Sequence, residues 1–240
     1  LVLLDDNLQT ILDSVKDGRR IYQNITKAIG YVFAIHIPIA LISLTAPLMG
    51  IDGESLMLLP LHIVLLELVM DPTCSVALER QPAEDEVMNR PPRNSGMKLM
   101  STGLLVKSLM QGLAIYFVSF YSYYILLKHG YTAETARTAG YSILVLSNIF
   151  LVLVNCSEKE SIIRILTKIS KERGIWIVNL ITLLELYIMI YTPAAKHLKL
   201  TPLPLMLNIT VVSLAFISVF WYEFIKLIKR RNIRNIISKH

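Results

Sequence analysis

The sequence predicts an all-α, polytopic membrane bundle of about six transmembrane helices with both termini on the cytoplasmic side. Three observations predict it. The 240 residues are 54% hydrophobic and only 18% charged, with a mean hydropathy of +0.54, too apolar for a domain that must keep a polar skin in water. Apolar stretches recur at about 24–48, 56–78, 103–127, 138–156, 175–192 and 203–226, each near the ~20 residues that cross a hydrocarbon core of about 30 Å. The positive charges between them are strongly one-sided, as the retention of Lys and Arg on the cytoplasmic face requires.

One set of helix ends collects Lys16, Arg19, Arg20 and Lys27, then Arg80, Arg90, Arg93 and Lys98, then Lys159, Arg164, Lys168, Lys171 and Arg173, and finally Lys226, Lys229, Arg230, Arg231, Arg234 and Lys239. The other holds Lys128, Arg137, Lys196 and Lys199. Both termini fall on the basic side, and an even number of crossings gives the same answer. The net charge of +6 is therefore a sign of membrane orientation. It does not mark a nucleic-acid site, because no aromatic-rich reading surface accompanies the basic residues. Cys74 and Cys156 lie in or at the end of apolar stretches and read as packing residues, with no disulfide framework or zinc module. The chain opens on Leu1 with a polar, acidic segment that has neither the basic start nor the apolar core of a signal peptide. It reads as the end of a preceding soluble domain.

The first stretch ends at the turn-like Gly50-Ile51-Asp52-Gly53, and a polar strap from Glu79 to Ser101 joins the second to the third. The run Tyr116, Phe117, Phe120, Tyr121, Tyr123 and Tyr124 reads as interfacial, lipid-facing anchoring. No solenoid repeat and no inverted repeat is visible.

The second stretch holds Glu67 and Asp71 four residues apart, hence on one helix face near mid-span. A carboxylate at that depth costs roughly 2.5–3.5 kcal/mol on translocon scales, so it persists where it meets a cation, a proton or a cationic partner. Pro72 cannot donate to the carbonyl of Leu68, which leaves a free oxygen beside the carboxylates. Carboxylates with freed carbonyls are what a hard cation needs to replace its hydration shell. The plain alternative is a salt-bridged or protonated pair that holds helices together. In the first stretch His36 is followed by Pro38, which frees the carbonyl of Ala34, so two neighbouring helices are both opened. His36 and His62 are each open to a ligand role or to a packed, hydrogen-bonded one. Ser147 and Asn148 read first as interhelical hydrogen-bonding groups, and Glu185 as a charge that must face the bundle. The strap is no catalytic loop, and the chain holds no Gly-rich Lys-Ser/Thr loop and no nucleotide fold, so no catalytic residue is assigned.

Four passages resemble the P-type cation-transporting ATPases, most closely their calcium-transporting group and its bacterial relatives. Leu3-Leu4-Asp5-Asp6-Asn7 with Gly18-Arg19-Arg20-Ile21-Tyr22-Gln23-Asn24-Ile25 resembles the end of the phosphorylation domain entering the stalk of the fifth membrane helix. Leu66-Glu67-Leu68-Val69-Met70-Asp71-Pro72 resembles the ion-binding stretch of the sixth. Met88-Asn89-Arg90-Pro91-Pro92-Arg93 resembles the loop between the sixth and seventh. The resemblance implies residues 1–23 as the end of the phosphorylation domain with its stalk, 24–228 as the transport domain and 229–240 as a basic cytoplasmic tail. It implies a cation site built from Glu67 and Asp71, the two metal ligands, with His36 and Asn148, beside the helix-breaking Pro38 and Pro72. Asp71 matches the family's best-kept acidic ligand. Glu67 stands where calcium pumps commonly have Asn, and His36 and Ile39 where they have Asn and Glu. The cargo implied is a cation, divalent by preference and calcium among the candidates, with magnesium, monovalent ions and protons open. ATP and Mg2+ are implied for the intact pump, as are upstream nucleotide-binding, phosphorylation and actuator domains and a multi-pass place in the plasma membrane. The alternatives are a self-contained channel or secondary transporter, and a non-transporting remnant or assembly partner.

Overall fold

The computed structural model describes residues 7–51, 53–79, 81–83, 87–89, 91–92, 99–156 and 173–237, without the side chains of residues 69, 71, 74–76, 173 and 229–237. The expectations that fall on the start at 1–6, on Arg80, Arg90, Arg93 and Lys98, and on the basic segment 157–172 lie outside the described residues, as do the side chains of the basic tail. The described residues form α1 (Leu8–Leu48), a short turn of 3-10 helix (Gly53–Ser55), α2 (Pro60–Pro72) continued by a π-helical stretch (Thr73–Leu78), α3 (Thr102–Lys128), α4 (Ala133–Asn155), α5 (Arg173–Tyr191), the one-turn α6 (Ala194–His197) and α7 (Leu205–Ile237). Among the described residues no strand occurs.

Helix ends follow local chemistry. Asn7, Ser101 and Thr132 cap α1, α3 and α4, their side chains accepting from the amides of Gln9, Leu104 and Thr135, which satisfies donors that a helix start leaves unpaired. Three helices end in the same closure, a bond from the amide five residues on. These are Ile51 to the Ala46 carbonyl at 3.2 Å, Tyr131 to Leu126 at 3.1 Å and Leu200 to Ala195 at 2.9 Å. That closure needs a left-handed residue. Gly50 (φ 70°) and Gly130 (φ 80°) supply it at two ends, and Lys199 (φ 49°) at the third.

The helices run antiparallel in chain order. At one end of the bundle Asn24 of α1 donates to the carbonyls of Glu79 and Gln81 at 2.9 and 2.7 Å. Ser108 of α3 donates to the Gly30 carbonyl at 2.8 Å, and Lys226 of α7 reaches the Val154 carbonyl at the end of α4. At the other end Tyr123 of α3 donates to the Ser55 carbonyl, and Thr138 of α4 accepts from the Thr201 amide at 2.9 Å. Six passes result. Five of the described helices are individually long and apolar enough to cross a membrane. The other pass, expected at 56–78, is shared by α2 and its π-helical continuation, because Pro72 interrupts the regular ladder. The start of α1 and the end of α7 share one face of the bundle, the face on which the sequence puts both termini.

Small residues let α1 and α3 pack closely. Gly30 and Ala34 on α1 meet Ser108 and Gly112 on α3, a four-residue spacing of small side chains on both partners, which lets membrane helices approach at backbone distance. A Cβ on Gly112 would stand 2.8 Å from the Ala34 carbonyl oxygen and 2.7 Å from Ile37 Cβ. The oxygen that Pro38 frees is thus covered by the backbone of α3.

The aromatic run is only partly lipid-facing. Phe117 and Tyr121 are exposed, but Tyr123 and Phe120 are buried in the core. Tyr116 shares a hydrogen bond of 2.9 Å with Thr45. A helical period of 3.6 residues divides such a run between two faces, so the reading of the whole run as surface anchoring is corrected. Cys156 is buried and free.

Gly112→Ala should cost about 1–3 kcal/mol, because the obstacle is a backbone oxygen that does not yield. Gly140→Ala, where the Cβ would meet the flexible Met57 Cε at 2.6 Å, should cost clearly less. Thermal or denaturant unfolding of the two variants in detergent or bilayer checks the order.

Candidate functional site

The candidate site lies where α1, α2, α3 and α4 face one another. A cavity of about 20 Å³ is lined by Ile35, Pro38 and Ile39 of α1, Leu66 and Met70 of α2, Ile115 of α3, and Leu144 and Asn148 of α4. It has room for about one water molecule. The cavity is apolar except at Asn148, whose side-chain oxygen accepts a hydrogen bond from the Tyr31 hydroxyl. Asn148 and Tyr31 are both buried, so each satisfies the other where no bulk water reaches.

His36 and Glu67 meet on the outer side of the α1–α2 contact. The ring Nε2 of His36 lies 3.2 Å from Glu67 Oε1, and its Nδ1–H donates to the Val32 carbonyl at 2.8 Å, one turn back. A carbonyl can only accept, so Nδ1 carries its proton, and the contact at Nε2 is attractive only when a further proton lies between ring and carboxyl. Both side chains keep much of their surface open, 48% and 40%. The pair therefore faces away from the helices described here.

The sequence-predicted residues are thus brought together in two groups. His36 pairs with Glu67, while Asn148 and Pro38 share the cavity wall. Asp71 stands in the last turn of α2, with its side chain outside what is described. Pro72 is exposed at the junction with the π-helical stretch. Leu68, whose carbonyl receives no bond from Pro72, is also exposed. Among the described residues no three His, Cys, Asp or Glu side chains converge on one point.

Other polar residues of the spans serve packing. His62 accepts from the Leu59 amide at 3.2 Å and donates to the Leu198 carbonyl at 2.8 Å. Both ring nitrogens are then engaged, and the ligand alternative for it falls away. Ser147 bonds Ser218 of α7 at 2.9 Å. Glu185 lies on α5, and its Oε1 is buried without a hydrogen-bond partner among the described residues. Sequence reasoning missed Arg137. It was counted only as one of the few positive charges on its side, yet it is completely buried. A lone Arg in the second turn of an apolar helix is the signal that marks it.

Antiparallel apolar passes, five of the described helices long enough to span a membrane on their own, with a histidine–carboxylate pair set between two of the passes, define a polytopic transport domain, since ionisable groups in such spans serve ions or protons. Residues 55–228 match the family model of the cation transporting ATPase C-terminus. The chain belongs to that family, the C-terminal membrane domain of the P-type cation pumps. It is 31% identical over 163 residues to a calcium-transporting ATPase of Bacillus subtilis, covering 68% of this chain and 18% of that protein. It is 26% identical over 165 residues to calcium-transporting ATPase 1 of Yarrowia lipolytica. It is 25% identical over 166 residues to the human calcium-transporting ATPase type 2C member 1, covering 69% of this chain and 18% of that protein. The aligned region is thus less than a fifth of the length of these relatives.

Removing one member of the Tyr31–Asn148 bond leaves the other buried without that partner, at a cost of about 1–3 kcal/mol. In a double-mutant cycle, Tyr31→Phe with Asn148→Ala should lose less than the two single variants together, by about 1 kcal/mol. Unfolding measurements on the four proteins read the coupling directly.

Proposed function

We propose that this chain is the cation-translocating part of an ATP-driven pump, and that Glu67 and Asp71, with His36 and Asn148, hold the transported ion. The observation that carries this reading is the His36–Glu67 pair at 3.2 Å beside the proline-opened segment of α1. A carboxylate kept at that depth is costly unless a cation or proton compensates it. The ion would take the place of the proton between His36 and Glu67 and draw on Asp71, one turn further along the same helix. A divalent cation suits two carboxylates best, and calcium is the first candidate because it is the cargo named for the relatives.

The exposure of the pair supports a second part of the proposal. Charged side chains that faced hydrocarbon would carry the penalty that drives such groups inward. Further membrane helices of a longer polypeptide would cover this face and complete the ligand shell. ATP with Mg2+ would drive the cycle from upstream nucleotide-binding, phosphorylation and actuator domains, outside these 240 residues. The strap would couple them to the site. Arg19 donates to the Val87 carbonyl at 2.9 Å and Asn24 to those of Glu79 and Gln81, so movement of the cytoplasmic part of α1 would pull directly on the end of the α2 pass. The membrane is proposed to be the plasma membrane.

ATP-dependent uptake into vesicles by the full-length protein tests this, with calcium, magnesium, manganese and a pH gradient compared. Glu67→Gln and Asp71→Asn should each abolish or weaken uptake of one and the same ion by at least about tenfold, with insertion unchanged. Unchanged uptake in both variants would make these carboxylates structural.

A further inference from the structure

The end of the bundle opposite the strap is organised by a single cation. Arg137, in the second turn of α4, is completely buried. It donates through Nε to the Leu56 carbonyl at 2.8 Å, through Nη1 to the Lys199 carbonyl at 2.8 Å, and through Nη2 to the Glu54 carbonyl. Two loops distant in sequence, that between α1 and α2 and that between α6 and α7, are thus tied to one helix. Neighbouring bonds fasten the same loops. Tyr123 holds the Ser55 carbonyl, His62 the Leu198 carbonyl, and Thr138 the Thr201 amide. Lys199, a non-glycine residue in the left-handed region at φ 49°, is kept there with its carbonyl on the guanidinium. Its ammonium lies 3.4 Å from Glu54, an acid of the other loop.

The consequence falls on α2. Its far end leaves the regular ladder at Pro72 for the π-helical stretch, so the hold of α1 on the strap reaches Glu67 only through an irregular segment. Its near end is fixed, because Leu56, four residues before Pro60, is held by α4. We propose that Arg137 is a positioning residue for the cation site. It locks the register of α2 against α4 and thereby sets the depth of Glu67 relative to His36 and Asn148. This rests on the reading of Glu67 as a ligand. The planar guanidinium serves three carbonyls in three directions, which an ammonium on a flexible stem does not reproduce.

The test uses the full-length protein with Arg137→Lys and Arg137→Gln. Half-saturating cation concentration is read separately from maximal uptake rate. A second readout is disulfide formation between Ile39→Cys and Met70→Cys, which share the cavity wall, with Cys74 and Cys156 changed to Ser. Arg137→Gln should raise the half-saturating concentration at least about tenfold, the scale of losing a group that orients ligands, and Arg137→Lys should raise it by less. The maximal rate should hold, and disulfide formation should slow. Tyr123→Phe removes one bond to the same loop and should shift the half-saturating concentration the same way by about threefold. It decides the matter if the Arg137 variants fail to fold. Inserted variants with an unchanged half-saturating concentration and disulfide rate would overturn the proposal, as would a fallen maximal rate at constant half-saturation. If instead Glu67→Gln leaves uptake intact, the functional reading fails, and the disulfide rate still decides whether Arg137 sets the register.

Discussion

The enclosure of α4 is the constraint on which the other elements depend. Within its spanning window 94% of residues are buried, against 22–39% for the other long helices. A helix surrounded in this way offers little face to lipid, so most of its polar side chains are met by partners on neighbours, although Ser142 Oγ and Asn155 Oδ1 are buried without one among the described residues. Ser147 finds Ser218 of α7, Asn148 finds Tyr31 of α1, and Asn155 approaches Gln111 of α3 at 3.4 Å. Arg137 and Thr138 find the loops at the end of the bundle. The remaining helices are arranged by where these partners stand.

The α1–α3 contact obeys a different rule. Hydrocarbon gives no hydrophobic reason for helices to associate, so close fit and interhelical bonds must supply it. Gly30, Ala34, Ser108 and Gly112 provide the fit, and the bond from Ser108 to the Gly30 carbonyl provides the polar tie. The backbone opened by Pro38 is kept dry there by α3, while the other side of the same turn, at His36, stays accessible. One proline thus serves packing on one side of α1 and leaves an ionisable pair on the other.

α2 is the least regular pass, and it carries the carboxylates. Its regular part is short, ends in a proline and gives way to a wider helix. A segment of this kind is poorly held by its own ladder, and its position is decided by what grips its ends. The strap grips one end through the side chains of α1, and the Arg137 cluster grips the other. The site is therefore suspended between the face that bears the basic stalk and the opposite loops, an arrangement suited to passing movement from one to the other.

The class of fold was legible from composition, from the spacing of the apolar stretches and from the one-sided Lys and Arg, because hydrocarbon thickness and backbone hydrogen bonding leave few other solutions. Glu67, His36 and Asn148 were legible as well, since a polar residue in an apolar span is conspicuous. The meeting of His36 with Glu67 required the crossing of α1 and α2, which hydropathy does not encode. Tyr116 and Tyr123 pointed inward because rotation about a helix axis is fixed by its neighbours, whereas a cluster of aromatics in the sequence has no sense of direction. Arg137 drew no notice as a charge at a helix end, for its three partners are main-chain carbonyls, and a main-chain carbonyl has no signature in a sequence. By itself, then, the sequence determined that the chain is a polytopic helical bundle, roughly where its apolar passes run, and where its costly groups lie. The tertiary structure alone decided which of those groups face one another, because that follows from helix packing and from loops whose polar atoms every residue type shares.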